Sequence, residues 1–285
     1  MTPAYQCFGT HQAAGVKIDA FIFGGRRSTT VPLVTEARNW TEGVYMAATM
    51  GSETTAAATG QAGVVRRDPF DMLPFMGYNM SDYFQHWLNL GAKLQAQGAT
   101  LPRIYCVNWF RKGADGKFVW PGYGDNMRVM KWMIERIEGQ AQGEEHFFGI
   151  SPRYEDLSWA GLDFSREKFD SIIDASPEAW RAELKLHDEH FEKLSYHLPK
   201  ELLETRAAIE ARHAGARTCV LEVASAGGGS AALSGGEVYV GGSGGTRVQR
   251  AHGFEDSTAD LAAYLTMAGG PGADDGVQLV DEQDD

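Results

Sequence analysis

Apolar and polar positions divide the first part of the chain into strands that alternate with helices and are followed by further helices. Residues 16–23 are rich in β-branched and aromatic side chains and stop at two glycines, which predicts a buried strand that ends in a turn. Residues 103–110 have the same character and predict a second strand. A third apolar run, residues 43–48, is interpreted as another strand, preceded by a short helix after Pro32.

Helical spacing of apolar residues marks three further regions. Residues 79–96 place large apolar side chains on one helical face: Met80, Tyr83, Phe84, Trp87 and Leu88. A second stripe, which we interpret as core packing, consists of Met127, Met130, Met133, Ile134 and Ile137. An N-cap and a first-turn proline, Ser176 and Pro177, predict helices that run to Arg212 with a break near residues 198–199. Strands that alternate with helices, followed by further helices, favour an α/β fold with a mixed sheet.

The last quarter of the chain has a different composition. Residues 217–285 hold 11 acidic and 3 basic side chains, a net charge of -8, and 14 of the 34 glycines. A glycine-rich acidic sequence of this kind buries too little apolar surface to offset its chain entropy. We therefore predict a folded domain over residues 1–215 and a disordered tail over residues 216–285.

Composition and charge exclude several classes of function. The 285 residues are 43% hydrophobic and 22% charged, as in globular proteins and unlike disordered or membrane proteins. The formal net charge of -12 argues against non-specific binding of nucleic acid or anionic lipid. Three scattered cysteines match no disulfide or zinc pattern, and the N-terminus lacks the features of a signal peptide, so a cytoplasmic location is expected.

The densest candidate for binding chemistry lies in residues 108–126. Two aromatic pairs flank a turn at residues 113–116: Trp109 with Phe110, and Phe118 with Trp120. Both arms of a hairpin can thus present rings to one slot, where a planar heterocycle gains about 1–3 kcal/mol from each stacking contact. The amide of Asn126 can both donate to and accept from a base edge. The alternative is a surface hairpin whose aromatic rings close a core.

Two further segments have compositions suited to a phosphate site. Arg26 and Arg27 follow a strand and two glycines; a guanidinium fork matches phosphate oxygens, and glycine lets a ligand approach the backbone. Residues 52–63 are small and polar, as in a lid that closes over a ligand and excludes water. The alternatives are a solvated arginine pair and an ordinary flexible loop.

With these segments in order, residues 2–215 resemble the GTP-dependent phosphoenolpyruvate carboxykinases. The matching segments are GVKIDAFIFGGRR at residues 15–27, SETTAAA at 52–58, DPF at 68–70, GYN at 77–79, VNWFRK at 107–112 and WPGYG at 120–124. The resemblance implies the C-terminal part of a nucleotide-binding domain, and an enzyme that converts oxaloacetate and GTP to phosphoenolpyruvate, GDP and carbon dioxide with Mn²⁺ or Mg²⁺. It also implies a monomer, a role in gluconeogenesis, and no nucleic-acid or membrane partner.

The resemblance also implies roles for individual residues. Arg26 is expected to be the catalytic residue that pairs with nucleotide phosphate near the transferred group. The guanine nucleotide is expected to contact Trp109, Phe110, Phe118, Tyr123, Gly124, Asp125 and Asn126. Within that set, Asn126 would contact the base, and Tyr123 is a phenol where phenylalanine is common. The lid is expected at Ser52, Glu53, Thr54, Thr55, Ala56, Ala57, Ala58, Gly60 and Gly63.

Two parts of the family's reaction centre have no counterpart in this sequence. The sequence contains no Gly-x-x-x-x-Gly-Lys-Ser/Thr loop, since its nearest glycine-lysine pair, Gly116 and Lys117, leads into the hairpin. The lysine, histidine and aspartate that hold the catalytic metal in the family have no match, and His187 and His190 lack a third ligand, so no metal site is predicted. The chain is therefore expected to be inactive alone. The alternatives are a non-catalytic guanine-nucleotide-binding module and a fragment that complements a separate chain in a split enzyme.

Overall fold

The computed structural model describes residues 17–55, 63–216 and 218. The strands are β1 (Ala20–Gly24), β2 (Val34–Glu36), β3 (Gly51–Glu53), β4 (Val65–Arg67), β5 (Arg103–Val107), β6 (Glu144–His146) and β7 (Gly149–Ser151). The α-helices are α1 (Trp40–Ala48), α2 (Met80–Ala96), α3 (Asn126–Ile137), α4 (Arg166–Ile173), α5 (Pro177–Lys193) and α6 (Lys200–His213). Short 3-10 helices lie at Pro69–Asp71, Leu73–Phe75, Tyr123–Asp125 and Tyr154–Asp156. Apart from residues 216 and 218, the tail predicted to be disordered lies outside the described residues, and so do the lid residues Ala56, Ala57, Ala58 and Gly60.

Five of these strands form one mixed sheet in the order β1-β5-β2-β7-β6. β1 and β5 are parallel, with Ala20 opposite Arg103 and Gly24 opposite Val107. β2 is antiparallel to both of its neighbours, β5 and β7. β3 and β4 pair with each other in a separate antiparallel sheet. Because β1 and β5 run in the same direction, the loops that follow them leave the same edge of the sheet.

The sheet separates two hydrophobic cores, and helices cover both of its faces. Successive residues of β5 face opposite cores, with Ile104 in one and Tyr105 in the other, as the alternation of side chains along a strand requires. The core on the Ile104 side includes buried residues of α1, α2, α5 and α6, and the opposite core includes those of α3 and α4. This arrangement confirms the predicted α/β class with a mixed sheet. None of the described helices is long and apolar enough to span a membrane.

Several predicted elements are confirmed. β1 covers residues 20–23 of the first predicted strand and extends to Gly24, but residues 17–19 precede it. The prediction that this strand is buried is wrong, because its residues are partly or largely exposed. β5 begins at the predicted residue but ends at Val107. α2 occupies almost all of residues 79–96. α5 begins after Ser176, which occupies the N-cap position without a side-chain capping bond, and the break between α5 and α6 falls at the predicted place.

The strand predicted at residues 43–48 is wrong, because these residues belong to α1. The side chain of Asn39 caps this helix by accepting a hydrogen bond from the N–H of Glu42 over 2.9 Å. Nearly every residue of α1 is buried, so the segment has no polar face to reveal a helical period. The strand in this region, β2, comes before the helix rather than after it.

The apolar stripe predicted on α3 is wider than the face that the helix buries. The helix buries Val129, Trp132 and Met133, whereas Met127 is 59% exposed and Ile134 is 52% exposed. The core-packing interpretation is therefore wrong for Met127 and Ile134. The indole N–H of Trp132 donates to the carbonyl oxygen of Gln142 over 3.0 Å, which fixes the buried face around this large ring.

Candidate functional site

The loop that follows β1 is bonded to β3. The N–H of Arg26 donates to the Ser52 Oγ over 3.1 Å, and the N–H of Glu53 donates to the carbonyl oxygen of Arg26 over 2.7 Å. Gly25 makes this approach possible, since a Cβ there would lie 2.6 Å from a carbonyl oxygen of β3. The Glu53 carboxylate also accepts bonds from the N–H and the hydroxyl of Ser28, each over 2.7 Å. Ser52 and Glu53, which the sequence assigns to a lid, thus hold the backbone of Arg26.

A hairpin follows β5, as the sequence predicts. Lys112 and Phe118 pair across it, and the N–H of Gly113 donates to the carbonyl oxygen of Lys117 over 2.9 Å. The N–H of Lys112 donates to the carbonyl oxygen of Ser28 over 3.0 Å. The hairpin is therefore joined directly to the loop that carries Arg26.

Asn108 ties the same two loops together at the end of β5. Its side chain is buried, and its Oδ1 accepts bonds from the N–H groups of Arg27 over 3.1 Å and Phe110 over 3.2 Å. Its Nδ2 donates to the carbonyl oxygens of Arg27 and Val31, each over 2.9 Å. One amide thus satisfies four backbone groups that have no place in the sheet. The residue pattern predicts no role for Asn108, although Asn108 lies in the VNWFRK segment that carries the resemblance.

Arg26 and two predicted pocket aromatics lie in a row. The guanidinium carbon of Arg26 lies 4.8 Å from the centre of the Phe110 ring, and that ring meets Phe118 edge-to-face with 5.7 Å between centroids. The Nζ of Lys112 lies 5.5 Å from the Phe118 ring centre. Within residues 17–55 and 63–216, neither cation forms an ion pair. This row offers exposed aromatic surface, since Phe118 is 54% exposed, beside uncompensated positive charge.

The remaining pocket residues lie around Trp120 and the start of α3. Trp109 stacks on Trp120 with 6.4 Å between centroids, and the Trp120 indole donates to the Oδ1 of Asn126 over 2.8 Å. Trp109 therefore packs toward the core, and one lone pair of the Asn126 amide is already used. Gly124 and Asp125 lie in the 3-10 helix Tyr123–Asp125, where Asp125 pairs with Arg128 over 2.8 Å.

Tyr123 combines an exposed side chain with an unusual backbone conformation. Its side chain is 97% exposed, and its backbone φ is +46° directly after Gly122 at +78°. A tyrosine in the left-handed region is strained, and strain of this kind is retained where the surrounding structure or function requires it. The phenol ring is therefore exposed to solvent in the segment that follows the hairpin.

The described lid residues outside β3 form the base of that segment. The N–H of Thr54 donates to the carbonyl oxygen of Val64 over 2.9 Å, and the N–H of Gly63 donates to the carbonyl oxygen of Thr54 over 3.0 Å. Thr55 follows directly. The two ends of the predicted lid are thus tied to each other and continue the pairing of β3 with β4.

Arg27, unlike Arg26, is buried and points away from this surface. It forms a two-pronged ion pair with Glu183 of α5, over 2.7 Å to Oε1 and 2.5 Å to Oε2. Burial raises the pKa of the Glu183 carboxyl, but hydrogen bonds from Arg27 and His187 outweigh burial and hold that pKa well below its usual range. The sequence could not reveal this pair, because 156 positions separate its members.

The described residues do not fit a metal ion. Within this part of the chain, no group of three or more His, Cys, Asp or Glu side chains lies close enough together to hold one. His187 instead forms a hydrogen bond between its Nδ1 and the Tyr45 hydroxyl over 2.9 Å, and its Nε2 lies 3.4 Å from the Oε1 of Glu183. No step of the chemistry is therefore assigned to a metal held by these residues.

Comparison with known proteins identifies the family. The model for the phosphoenolpyruvate carboxykinase C-terminal P-loop domain matches residues 5–212. The chain is 53% identical over 203 residues to the phosphoenolpyruvate carboxykinase [GTP] of Anaeromyxobacter dehalogenans strain 2CP-1, a match that covers 71% of this chain and 33% of the relative.

Two relatives from other bacteria agree with this assignment. Similarity to the protein of the same name from Paenarthrobacter aurescens strain TC1 is 51% identity over 188 residues, covering 66% of this chain and 31% of the relative. The chain is also 45% identical over 216 residues to the phosphoenolpyruvate carboxykinase [GTP] of Treponema pallidum strain Nichols, a match that covers 74% of this chain and 35% of the relative. The chain thus spans about a third of the length of the curated relatives it matches. The chain belongs to the family of GTP-dependent phosphoenolpyruvate carboxykinases.

Proposed function

We propose that this chain binds a guanine nucleotide across the two loops that follow β1 and β5. The phosphates would meet Arg26, and the guanine ring would lie among the aromatic side chains of the hairpin and Tyr123, with Asn126 at its edge. The segment that ends at Gly63 would form the lid over the phosphates, with Ser52 of β3 at its fixed base. In the complete reaction of the family, the site would serve the conversion of oxaloacetate and GTP to phosphoenolpyruvate, GDP and carbon dioxide.

The observation that carries the proposal is the position of the Arg26 guanidinium over the Phe110 ring. An arginine that stacks on an aromatic face keeps the N–H groups at the edge of its plane available for phosphate oxygens. The neighbouring Phe118 ring is exposed and can stack on a base. Both loops leave the carboxyl ends of parallel strands, where open α/β sheets bind their ligands.

The proposed chemistry explains why an arginine is needed here. Loss of carbon dioxide breaks a carbon–carbon bond of oxaloacetate and leaves its electron pair in an enolate. The enolate oxygen then forms a bond to the γ-phosphorus of GTP, while the bond from that phosphorus to the bridging oxygen breaks and GDP leaves. Negative charge is present on both reacting groups, and a fixed guanidinium stabilises it without reorganising.

The proposal separates binding from turnover. The sequence has no Gly-x-x-x-x-Gly-Lys-Ser/Thr loop, and the described residues supply no set of metal ligands. Binding of the nucleotide without turnover is therefore proposed for the isolated chain, and turnover for a complex with the polypeptide that supplies those groups. A monomeric state, the cytoplasm and gluconeogenesis are proposed on the family relationship alone.

Replacing Phe118 by alanine is expected to weaken GTP binding about tenfold, because one base-stacking contact contributes about 1–3 kcal/mol. The change removes an exposed ring and leaves the backbone pairing of the hairpin intact. Isothermal titration of the full chain with GTP measures the effect. Phe75→Ala is the matched control, since Phe75 is also an exposed phenylalanine but lies outside the two loops. Equal GTP affinity in the Phe118→Ala and Phe75→Ala variants would contradict the assignment of the guanine pocket.

A further inference from the structure

The buried carboxylate of Glu183 on α5 contacts two arginines, Arg27 and Arg67, that lie next to the backbone around Arg26. Glu183 is 3% exposed, and its Oε1 accepts bonds from the Nη1 of Arg27 over 2.7 Å and the Nη1 of Arg67 over 2.8 Å. Its Oε2 accepts a second bond from Arg27 over 2.5 Å. His187, one helical turn further along α5, places its Nε2 3.4 Å from Oε1. One side chain thus connects the loop after β1 to β4.

Arg67 extends this contact to the strand that faces Arg26. It lies in β4 opposite Gly51, and a Cβ on Gly51 would lie 2.9 Å from its guanidinium carbon. Its Nη1 also donates to the carbonyl oxygen of Thr49 over 2.7 Å, just before β3 begins. The guanidinium therefore fixes where β3 starts, and β3 carries the Ser52 and Glu53 groups that bond the backbone of Arg26.

We propose that Glu183 is a positioning residue: through Arg27 and Arg67 it fixes the backbone on either side of Arg26, so that the guanidinium meets the nucleotide phosphates. Arg27 holds the chain directly after Arg26, and Arg67 holds the strand on which Arg26 rests. The inference rests on the proposed guanine-nucleotide site. Glu183 touches neither the nucleotide nor the reacting atoms in this account, and it acts through its two arginines.

The energetics separate this role from simple stabilisation. Burying a carboxylate between arginines costs solvation that the ion pairs roughly recover, so such a cluster is a weak source of net stability. What it does supply is a fixed geometry between elements that are far apart in the sequence. Arg27 and Arg67 bring two positive charges to one carboxylate, and each has a buried N–H group without a hydrogen-bond partner in the described structure. The carboxylate is therefore the anchor for both.

The proposal is tested by replacing Glu183 with glutamine in the full chain and titrating it with GTP and with the nucleoside guanosine. Loss of the anchor is expected to weaken GTP binding about tenfold, comparable to one charge-assisted hydrogen bond to phosphate. Guanosine, which has no phosphates, is expected to bind within about twofold of its original affinity. An equal loss of affinity for GTP and for guanosine, or no loss of affinity for either, would overturn the positioning role.

Glu36→Gln is the matched control for this experiment. Glu36 is also a buried glutamate between two arginines, Arg103 and Arg136, with 2.8 Å between its Oε2 and the Arg136 Nε. It lies toward the other end of the sheet, since Arg103 begins β5 whereas the candidate site follows its end. The control is expected to lose stability but to keep the ratio of GTP affinity to guanosine affinity.

A second measurement makes the proposal independent of nucleotide binding. In the Glu183→Gln chain without ligand, the backbone amides of Arg26 and Glu53 are expected to exchange with solvent at least about tenfold faster, whereas the Glu36→Gln change leaves them protected. Unchanged exchange at both amides would refute the positioning role. If the original chain bound no GTP, the proposed function would fail, and exchange alone would decide this inference. If the Glu183→Gln chain does not fold, Arg67→Lys takes its place in both measurements. This change keeps the positive charge but removes the forked guanidinium group.

Discussion

Replacing Asn108 by alanine is expected to lower the free energy of unfolding by about 3–5 kcal/mol. The Asn108 amide satisfies two backbone N–H groups and two backbone carbonyls at the junction of the two loops. Each buried polar group left without a partner costs about 1–3 kcal/mol, and water can reach part of this junction to compensate. Urea denaturation followed by tryptophan fluorescence measures the change.

Asn89→Ala is the control for this prediction. Asn89 lies on the exposed side of α2, where its Oδ1 accepts a bond from the side chain of Gln85. A surface change of this kind is expected to stay within about 0.5 kcal/mol of the original stability. An Asn108→Ala chain as stable as the Asn89→Ala chain would show that the four bonds do not hold the loops together.

Replacing Arg26 by alanine is expected to weaken GTP binding about 10- to 100-fold and to leave guanosine binding unchanged. A charge-assisted hydrogen bond contributes about 1.5–3 kcal/mol, and the guanidinium has no competing ion pair among the described residues. The change should not disturb the fold, because the contacts of Arg26 with Ser52 and Glu53 are made by its backbone. Paired titrations with the two ligands measure the effect.

Arg181→Ala provides the comparison for Arg26→Ala. Arg181 is an exposed arginine on α5, and its removal changes the net charge by the same amount. If both variants lost GTP affinity equally, the effect would come from net charge rather than from a phosphate contact. Parallel losses of GTP and guanosine affinity in Arg26→Ala would likewise place the arginine outside the phosphate site.

The sequence predicts well those elements whose pattern is local. β1 and β5 are short apolar runs that end at clear signals, and α2 has a regular apolar face bounded by polar positions. The pattern mispredicts α1 as a strand, because this helix is buried on nearly all sides and its apolar residues therefore show no helical spacing. Met127 and Ile134 are apolar but exposed, since the neighbouring Trp132 determines which face of α3 is buried.

The sequence predicts the residues at the surface of the candidate site, but it does not predict the buried residues that hold them in place. Phe110, Phe118 and Arg26 stand out as residue types suited to a base and to phosphate, and the structure places these three in contact. Glu183 and Arg27 are hidden from sequence reasoning, because their contact depends on the packing of α5 against strands far earlier in the chain. Adjacent arginines look alike in a sequence, and only burial separates the binding candidate from the structural residue.

Isothermal titration of the folded full chain with GTP and, separately, with ATP tests whether the hairpin after β5 forms a guanine pocket. The two ligands share their phosphates and differ in the base, so their ratio reports the guanine pocket rather than the positive charge. GTP is expected to bind at least about tenfold tighter than ATP, because a polar group such as the Asn126 amide that matches the edge of one base is left unpaired by another. Equal affinities for GTP and ATP, or no GTP binding by the folded chain, would contradict this expectation.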